Sequence, residues 1–263
     1  MISKYSYYLR SIVTLLTQFE EPAKILAIFS GRHKAYPTKI SLRNSSLSYW
    51  VRSPMDVWII KETCVDRDYF RTGITPSSNW NMIDIGAGLG DFSVFAAQLA
   101  HAGELHAYEP LETSIRLLER NIDENQVNNV VTYPTAVTSQ GQTLAAKSLD
   151  IAPTSTEFVA ADAAASAGEG TVESVSLTQV IGRLPNQRCD FLKIDCEGGE
   201  FDILLNSPSN TLARIDRIAL EYHNSDAHSH TDIVNRLKQE GYTVTVEGNP
   251  VHTFLGFIYA ERV

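Results

Sequence analysis

Met82-Ile83-Asp84-Ile85-Gly86-Ala87-Gly88-Leu89-Gly90-Asp91-Phe92 decides the fold. A short apolar run ends in three glycines at alternate positions, and a helical pattern of Phe92, Phe95, Ala96 and Leu99 starts at once. A strand that passes through a glycine turn into a helix is the opening unit of a doubly wound α/β domain. Its glycines permit the tight turn and let a ligand approach the backbone. Downstream the alternation repeats. Strands are predicted over 104–108, 130–133, 191–194 and 218–220, with late strands over 242–246 and 254–260. Between them Leu111, Ile115, Leu118 and Ile122 mark one helix, and residues 231–240 another, closed by Gly241. Repeated βα units predict a parallel sheet with helices on both faces.

Upstream, residues 1–75 differ in character and form an N-terminal extension to a domain over 76–263. Tyr5, Leu9, Ile12, Leu16 and Phe19 share one helical face, which reads as an amphipathic helix docked on the body. The same face offers a surface for a homodimer or for weak membrane contact. Alternation over 39–43 and 47–52, around Asn44-Ser45-Ser46, predicts a β-hairpin, and a helix follows over 56–69. Trp50, Trp58 and Phe70 read as core, whereas Tyr69 sits at the junction of the two parts. The Ala-, Gly- and Ser-rich stretch 160–170 reads as a surface excursion.

Composition narrows the function. With 43% hydrophobic and 20% charged residues the chain is a folded globule. A formal net charge of −9 disfavours nucleic acid, and Arg32-His33-Lys34 is too short a basic run to reverse that. Cys64, Cys189 and Cys196 show no CxxC spacing, which excludes a disulfide framework or a zinc site and fits a cytoplasmic setting. No apolar run of membrane length and no signal-peptide pattern is found, so stable membrane insertion is not expected.

Four stretches carry chemistry. In the glycine turn, Asp91 stands where a dinucleotide fingerprint needs its last glycine. Asp84 and Asp91 make the turn acidic, which suits a cationic amino-acid group better than a pyrophosphate. Glu109, in Tyr108-Glu109-Pro110-Leu111, closes the second strand, where an acid accepts both hydrogen bonds of a ribose diol. Leu111 is then placed to pack on a purine, and the turn Thr135-Ala136-Val137 to offer backbone groups to its edge. Lys193-Ile194-Asp195-Cys196-Glu197-Gly198-Gly199-Glu200 crowds ionisable groups at the end of the fourth strand. Glu221-Tyr222-His223-Asn224 ends the fifth, and Glu221 and His223 project to the same side.

In this order and spacing, these segments, together with Val175-Ser176-Leu177, resemble the FkbM-type methyltransferases over roughly residues 56–224. The block around Asp195 is the most specific part. The resemblance implies a Rossmann-like methyltransferase fold with a mostly parallel seven-stranded sheet. It also implies S-adenosylmethionine as donor and O-methylation of a sugar, polyketide or related hydroxyl. Gly199 stands where alanine is commoner in that family, and Thr178 where an acid often follows the leucine. The donor-binding residues expected are Asp84, Gly86, Gly88, Gly90, Glu109, Pro110, Leu111, Ala136 and Asp195. An alcohol needs a base to take its proton, and the catalytic candidates are His223, Glu197 and Glu221. A competing arrangement has Asp195, Glu221, His223 and Asn224 holding Mg²⁺. A nicotinamide-dependent oxidoreductase and a non-catalytic nucleoside-binding module are the alternatives on the same fold.

Overall fold

The computed structural model describes residues 4–71, 73–148, 156–160 and 171–262. Its central sheet contains β1 (Met82–Ile85), β2 (Leu105–Tyr108), β3 (Val130–Tyr133), β4 (Phe191–Ile194), β5 (Arg217–His223), β6 (Tyr242–Gly248) and β7 (Leu255–Arg262). They lie in the order β3-β2-β1-β4-β5-β7-β6. The first five run parallel, and β7 lies antiparallel between β5 and β6. The expected seven-stranded, mostly parallel sheet is present. Strand order reverses between β1 and β4, and ligands of open α/β sheets bind at the carboxyl ends beside such a reversal. The tips of β1, β2, β4 and β5 therefore converge on one crevice.

β1 and β4 are buried along their whole length, yet each carries one charge, Asp84 and Lys193, placed opposite one another in the ladder. Lys193 Nζ lies 2.9 Å from Asp84 Oδ1 and donates to the Gly86 carbonyl at 2.7 Å. Ser93 Oγ donates to the other Asp84 oxygen at 2.7 Å. Two charges that burial alone would penalise thus satisfy each other beneath the glycine turn.

The extension begins with α1 (Lys4–Gln18) and α2 (Pro22–Phe29). The hairpin forms as expected, Thr38–Ser41 pairing with Ser48–Val51. Asn121 ties it to the body: its Oδ1 accepts from the Trp50 amide at 2.7 Å and its Nδ2 donates to the Leu89 carbonyl at 2.8 Å. The helix expected over 56–69 is three pieces. After α3 (Pro54–Ile60) comes a π-helical turn, Lys61–Asp66, then Arg67 in a left-handed conformation, then the 3-10 turn Asp68–Phe70.

Most of the face expected to dock is turned outward. Tyr5, Leu9 and Ile12 are exposed and Leu16 is half-buried, while Ser11 and Leu15 are buried; of the expected face only Phe19, just past α1, enters the core. Polar contacts decide the orientation: the buried Lys61 Nζ donates to Ser11 Oγ at 3.0 Å, and Tyr7 Oη donates to Glu62 Oε1 at 2.9 Å. Asp66 neutralises Lys61 at 2.6 Å.

Residue 75 does not divide the core. Phe19, Tyr49 and Phe70 join Phe92, Phe191 and Tyr259 in one apolar cluster, with Phe70 and Phe191 ring centres 5.0 Å apart. Around the sheet pack α4 (Asp91–Leu99), buried from Asp91 to Ala97, and α5 (Glu112–Glu124), with α6 (Leu177–Gly182), α7 (Gly199–Asn206), α8 (Ser209–Leu212) and α9 (His230–Gln239). A second, four-stranded sheet, not expected from the sequence, joins Ala136–Thr138, Thr143–Ser148, Thr156–Ala160 and Thr171–Ser176. Of the excursion expected over 160–170, Ala160 ends one of these strands and the rest lies outside the described residues.

Gly86 sits where this architecture is tightest. Its φ is +74°, and a Cβ there would stand 1.7 Å from the Asp195 carbonyl oxygen. Gly88, at φ +54°, has nothing within 4 Å of its Cβ position. Gly86→Ala is expected to cost more than ~4 kcal/mol in denaturant unfolding, a loss reserved for severe local conflict. Gly88→Ala should cost only the ~1–2 kcal/mol of left-handed backbone. Equal losses at the two positions would contradict this.

Candidate active site

Each glycine of the turn meets a different demand. Gly86 touches the backbone just after β4, and Gly90, at φ +88°, would set a Cβ 2.4 Å from Leu118 Cδ1. Gly88 alone of the three faces open space, so the turn presents its backbone to a ligand there. Glu109 grips this turn from the tip of β2: its Oε2 accepts from the Gly88 amide at 2.9 Å and its Oε1 from the Leu111 amide at 2.8 Å. Burial pushes its carboxyl up to about 7, with the two amides opposing that rise. Each carboxylate oxygen can accept a further hydrogen bond, so Glu109 can hold a ribose while it holds the turn. Pro110 and Leu111 are half-buried at the start of α5, and the buried Ala136 opens the first strand of the second sheet.

The acidity expected of the turn is absent from its surface. Asp84 is fully buried under Lys193 and Ser93, which takes it out of the ligand-contacting set and makes it an anchor. Asp91 also turns inward, accepting from Thr63 Oγ1 at 2.5 Å. Glu109 and the next two strand tips carry the acidic character instead.

At those tips Asp195, Glu221 and His223 bring donor atoms within 4.8 Å of one another. Tyr69 Oη, arriving from the extension, donates to Asp195 Oδ2 at 2.9 Å. The fully buried Glu200 accepts from the His223 amide at 2.8 Å and sits 3.2 Å from His223 Nδ1. That fixes the imidazole so that Nε2 faces Glu197, 3.5 Å away. Glu197 holds this position with a left-handed φ of 50°, a conformation rare for a non-glycine residue and frequent at functional sites. Asn224 Oδ1 accepts from the His230 amide at 2.7 Å, which ties its side chain to the start of the helix that follows β5.

Burial would depress the His223 imidazole, but the hydrogen bond and charge of Glu200, with Asp195 and Glu221 behind it, hold it up at about 10. The Glu221 carboxyl is pushed well above the carboxylate range by burial and by the charge of Asp195, with His223 opposing. Three contributors were not read as site residues from sequence. Lys193 was quoted without a role, although a lone cation in an apolar strand signals a buried partner. Thr63 carried no signal. Glu200, given no role of its own among the ionisable groups crowded after the fourth strand, is the group that orients His223.

The family model described as the Methyltransferase FkbM domain matches residues 84–244, more than half of the chain. The chain belongs to this family. Its relatives include the 31-O-demethyl-FK506 methyltransferase FkbM of Streptomyces tacrolimicus, 26% identical over 221 residues, which cover 74% of this chain and 84% of the relative. They also include the AMB antimetabolite synthetase AmbE of Pseudomonas aeruginosa, 24% identical over 226 residues, 72% of this chain. The match spans only 11% of that synthetase. Among solved structures, the methyltransferase FkbM of Methylobacillus flagellatus KT aligns over 73% of this chain and 46% of its own, at 16% identity and a TM-score of 0.48.

In this FkbM-family chain the Glu200–His223 pair makes stability depend on pH. The folded histidine is raised above its unfolded value of about 6.5. Its contribution is therefore complete below about pH 6.5 and is lost as pH climbs toward 10. The melting-temperature gap between wild type and His223→Gln should be widest near pH ~6 and shrink by pH ~10. A gap that widens with pH would contradict this assignment.

Proposed function

We propose that this chain transfers a methyl group from S-adenosylmethionine to a hydroxyl oxygen of a small molecule such as a sugar or a polyketide. One observation carries the reading: the Gly88–Glu109 cradle and the Asp195–Glu221–His223 group stand at neighbouring strand tips of one crevice. The relative from Streptomyces tacrolimicus, whose name specifies an O-demethylated acceptor, supports the choice of oxygen.

The residues fit the donor. Gly88 leaves room against its backbone, and Glu109 has spare acceptor capacity for a ribose diol. Leu111 can pack on a purine, and the turn before Ala136 can meet its edge. The donor, when bound, supplies a methyl group that needs no further activation. The protein's remaining tasks are alignment, which can be worth roughly 7–11 kcal/mol, and removal of the acceptor's proton. Glu221 suits the second task, because burial and Asp195 raise its affinity for a proton. His223, held cationic by Glu200, already carries its proton and serves to orient Glu197 and the carboxylates around it. Tyr69 holds Asp195 in place.

A second reading rests on the same three donors. Asp195, Glu221 and His223 Nε2, with Glu200 fixing Nδ1, match the oxygen and nitrogen ligands of a divalent cation and a carboxylate orienting its histidine. In that case Asp195, Glu221 and His223 would hold the ion, which would supply Lewis-acid activation of the acceptor hydroxyl in place of proton removal by Glu221.

Label transfer from S-adenosylmethionine to a panel of polyhydroxylated acceptors tests the proposal, with the linkage of the new methyl read by mass spectrometry. O-methyl product is expected. Glu221→Gln should lower kcat by about 10²–10⁴-fold while calorimetric affinity for S-adenosylhomocysteine is kept. Activity abolished by chelator and restored by Mg²⁺ would select the cation reading. N- or C-methyl product, or no uptake of S-adenosylhomocysteine, would refute the proposal.

A further inference from the structure

Among the described residues, the outward face of α1 gathers five exposed large hydrophobic side chains, Tyr5, Tyr8, Leu9, Ile12 and Val13. At 3.6 residues per turn, Tyr5, Tyr8, Leu9, Ile12, Val13 and Leu16 form one continuous stripe. Tyr5 is 86%, Leu9 65%, Val13 54% and Ile12 50% exposed. Lys4 borders the stripe on one side and Arg10 on the other, and the helix contains no acid. Leu26 and Phe29 of α2 are exposed as well, followed by Arg32 and Lys34. Among the described residues, none of Lys4, Arg10, Arg32 and Lys34 forms an ion pair.

Charge identifies the occupant. Up to Arg43 the chain carries seven lysines and arginines against Glu20 and Glu21, a net of +5. The whole chain is −9, so everything after Arg43 carries −14. An apolar stripe edged by cations, on the one basic part of an acidic protein, has the pattern of a helix that lies in an anionic lipid interface. A second copy is the poorer match, because a twofold contact would bring two +5 extensions together. A nucleic acid would leave the stripe without a partner.

We propose that α1 docks this protein on anionic membrane surfaces, with its stripe in the headgroup boundary and Lys4, Arg10, Arg32 and Lys34 against lipid phosphates. This is interfacial contact rather than insertion: among the described residues no helix is long and apolar enough to cross a membrane. The inner side of α1 is fastened to the π-helical turn through Tyr7–Glu62 and Ser11–Lys61, and Tyr69 reaches Asp195 just beyond it. Docking would therefore fix how the crevice faces the bilayer. The inference holds whatever reaction the crevice performs.

Flotation of the full chain with vesicles tests it, using phosphatidylcholine alone or mixed with phosphatidylglycerol. Binding is expected to the anionic vesicles only, and to fall as salt shortens the Debye length. Lys4→Gln and Arg10→Gln should each weaken it about fivefold. Leu9→Glu/Ile12→Glu should abolish it with an unchanged circular-dichroism melting curve. Failure of the wild type to float with anionic vesicles, or full binding by the double-glutamate variant, would overturn the proposal. So would gel filtration showing a wild-type dimer that this variant dissociates, since the stripe would then belong to a second copy.

Discussion

The ion pair between Lys193 and Asp84 is the constraint on which the rest of the structure depends. It joins the two central strands from inside a layer that is otherwise apolar, and its lysine also holds the carbonyl of Gly86. Removing one partner of a buried pair strands the other charge, at a cost of about 3–5 kcal/mol. The pair thus fixes β1 against β4 at the point where strand order reverses, and so fixes which strand tips share a crevice. Gly86 can then press against Asp195, and Gly88 is left as the open part of the turn.

From that frame outward, the site is a matter of charge. Asp195, Glu197, Glu200 and Glu221 surround a single imidazole, and the structure compensates by keeping His223 cationic and raising the proton affinity of Glu221. Such groups, perturbed by burial and by one another at the mouth of a crevice, are typical of catalytic carboxylates. The extension belongs to the same arrangement. Its Tyr69 reaches Asp195, and its aromatic side chains fill the core beneath the glycine turn.

Much of this was legible in the sequence, for a physical reason. Strands buried on both faces read as short apolar runs, and turns that need left-handed backbone read as glycines, so the sheet elements and the Gly86–Gly90 turn could be placed. The same holds for Glu109 and for the convergence of Glu221 with His223, which follow from strand ends and the two-residue period. Other features depend on partners far along the chain. Periodicity finds an apolar face but not which way it points, and the Ser11–Lys61 contact turned α1 over. It also cannot separate one helix from three pieces broken at Arg67. The carboxylates of Asp84 and Asp91 are turned inward to Lys193 and Thr63, one in register on a neighbouring strand far along the chain and the other on the π-helical turn. Gly199, noted where alanine is commoner, has a local cause: a Cβ there would stand 3.0 Å from Cys196 Sγ.

The most direct test of the central claim, that the Gly88–Glu109 cradle receives an adenosyl donor, is amide chemical-shift mapping during titration with S-adenosylhomocysteine. The Gly88 and Leu111 amides both donate to Glu109 and report on it from two sides. They should move together and saturate with one affinity, while the amides of α1 stay in place. Saturable binding that leaves Gly88 and Leu111 unmoved would contradict the claim.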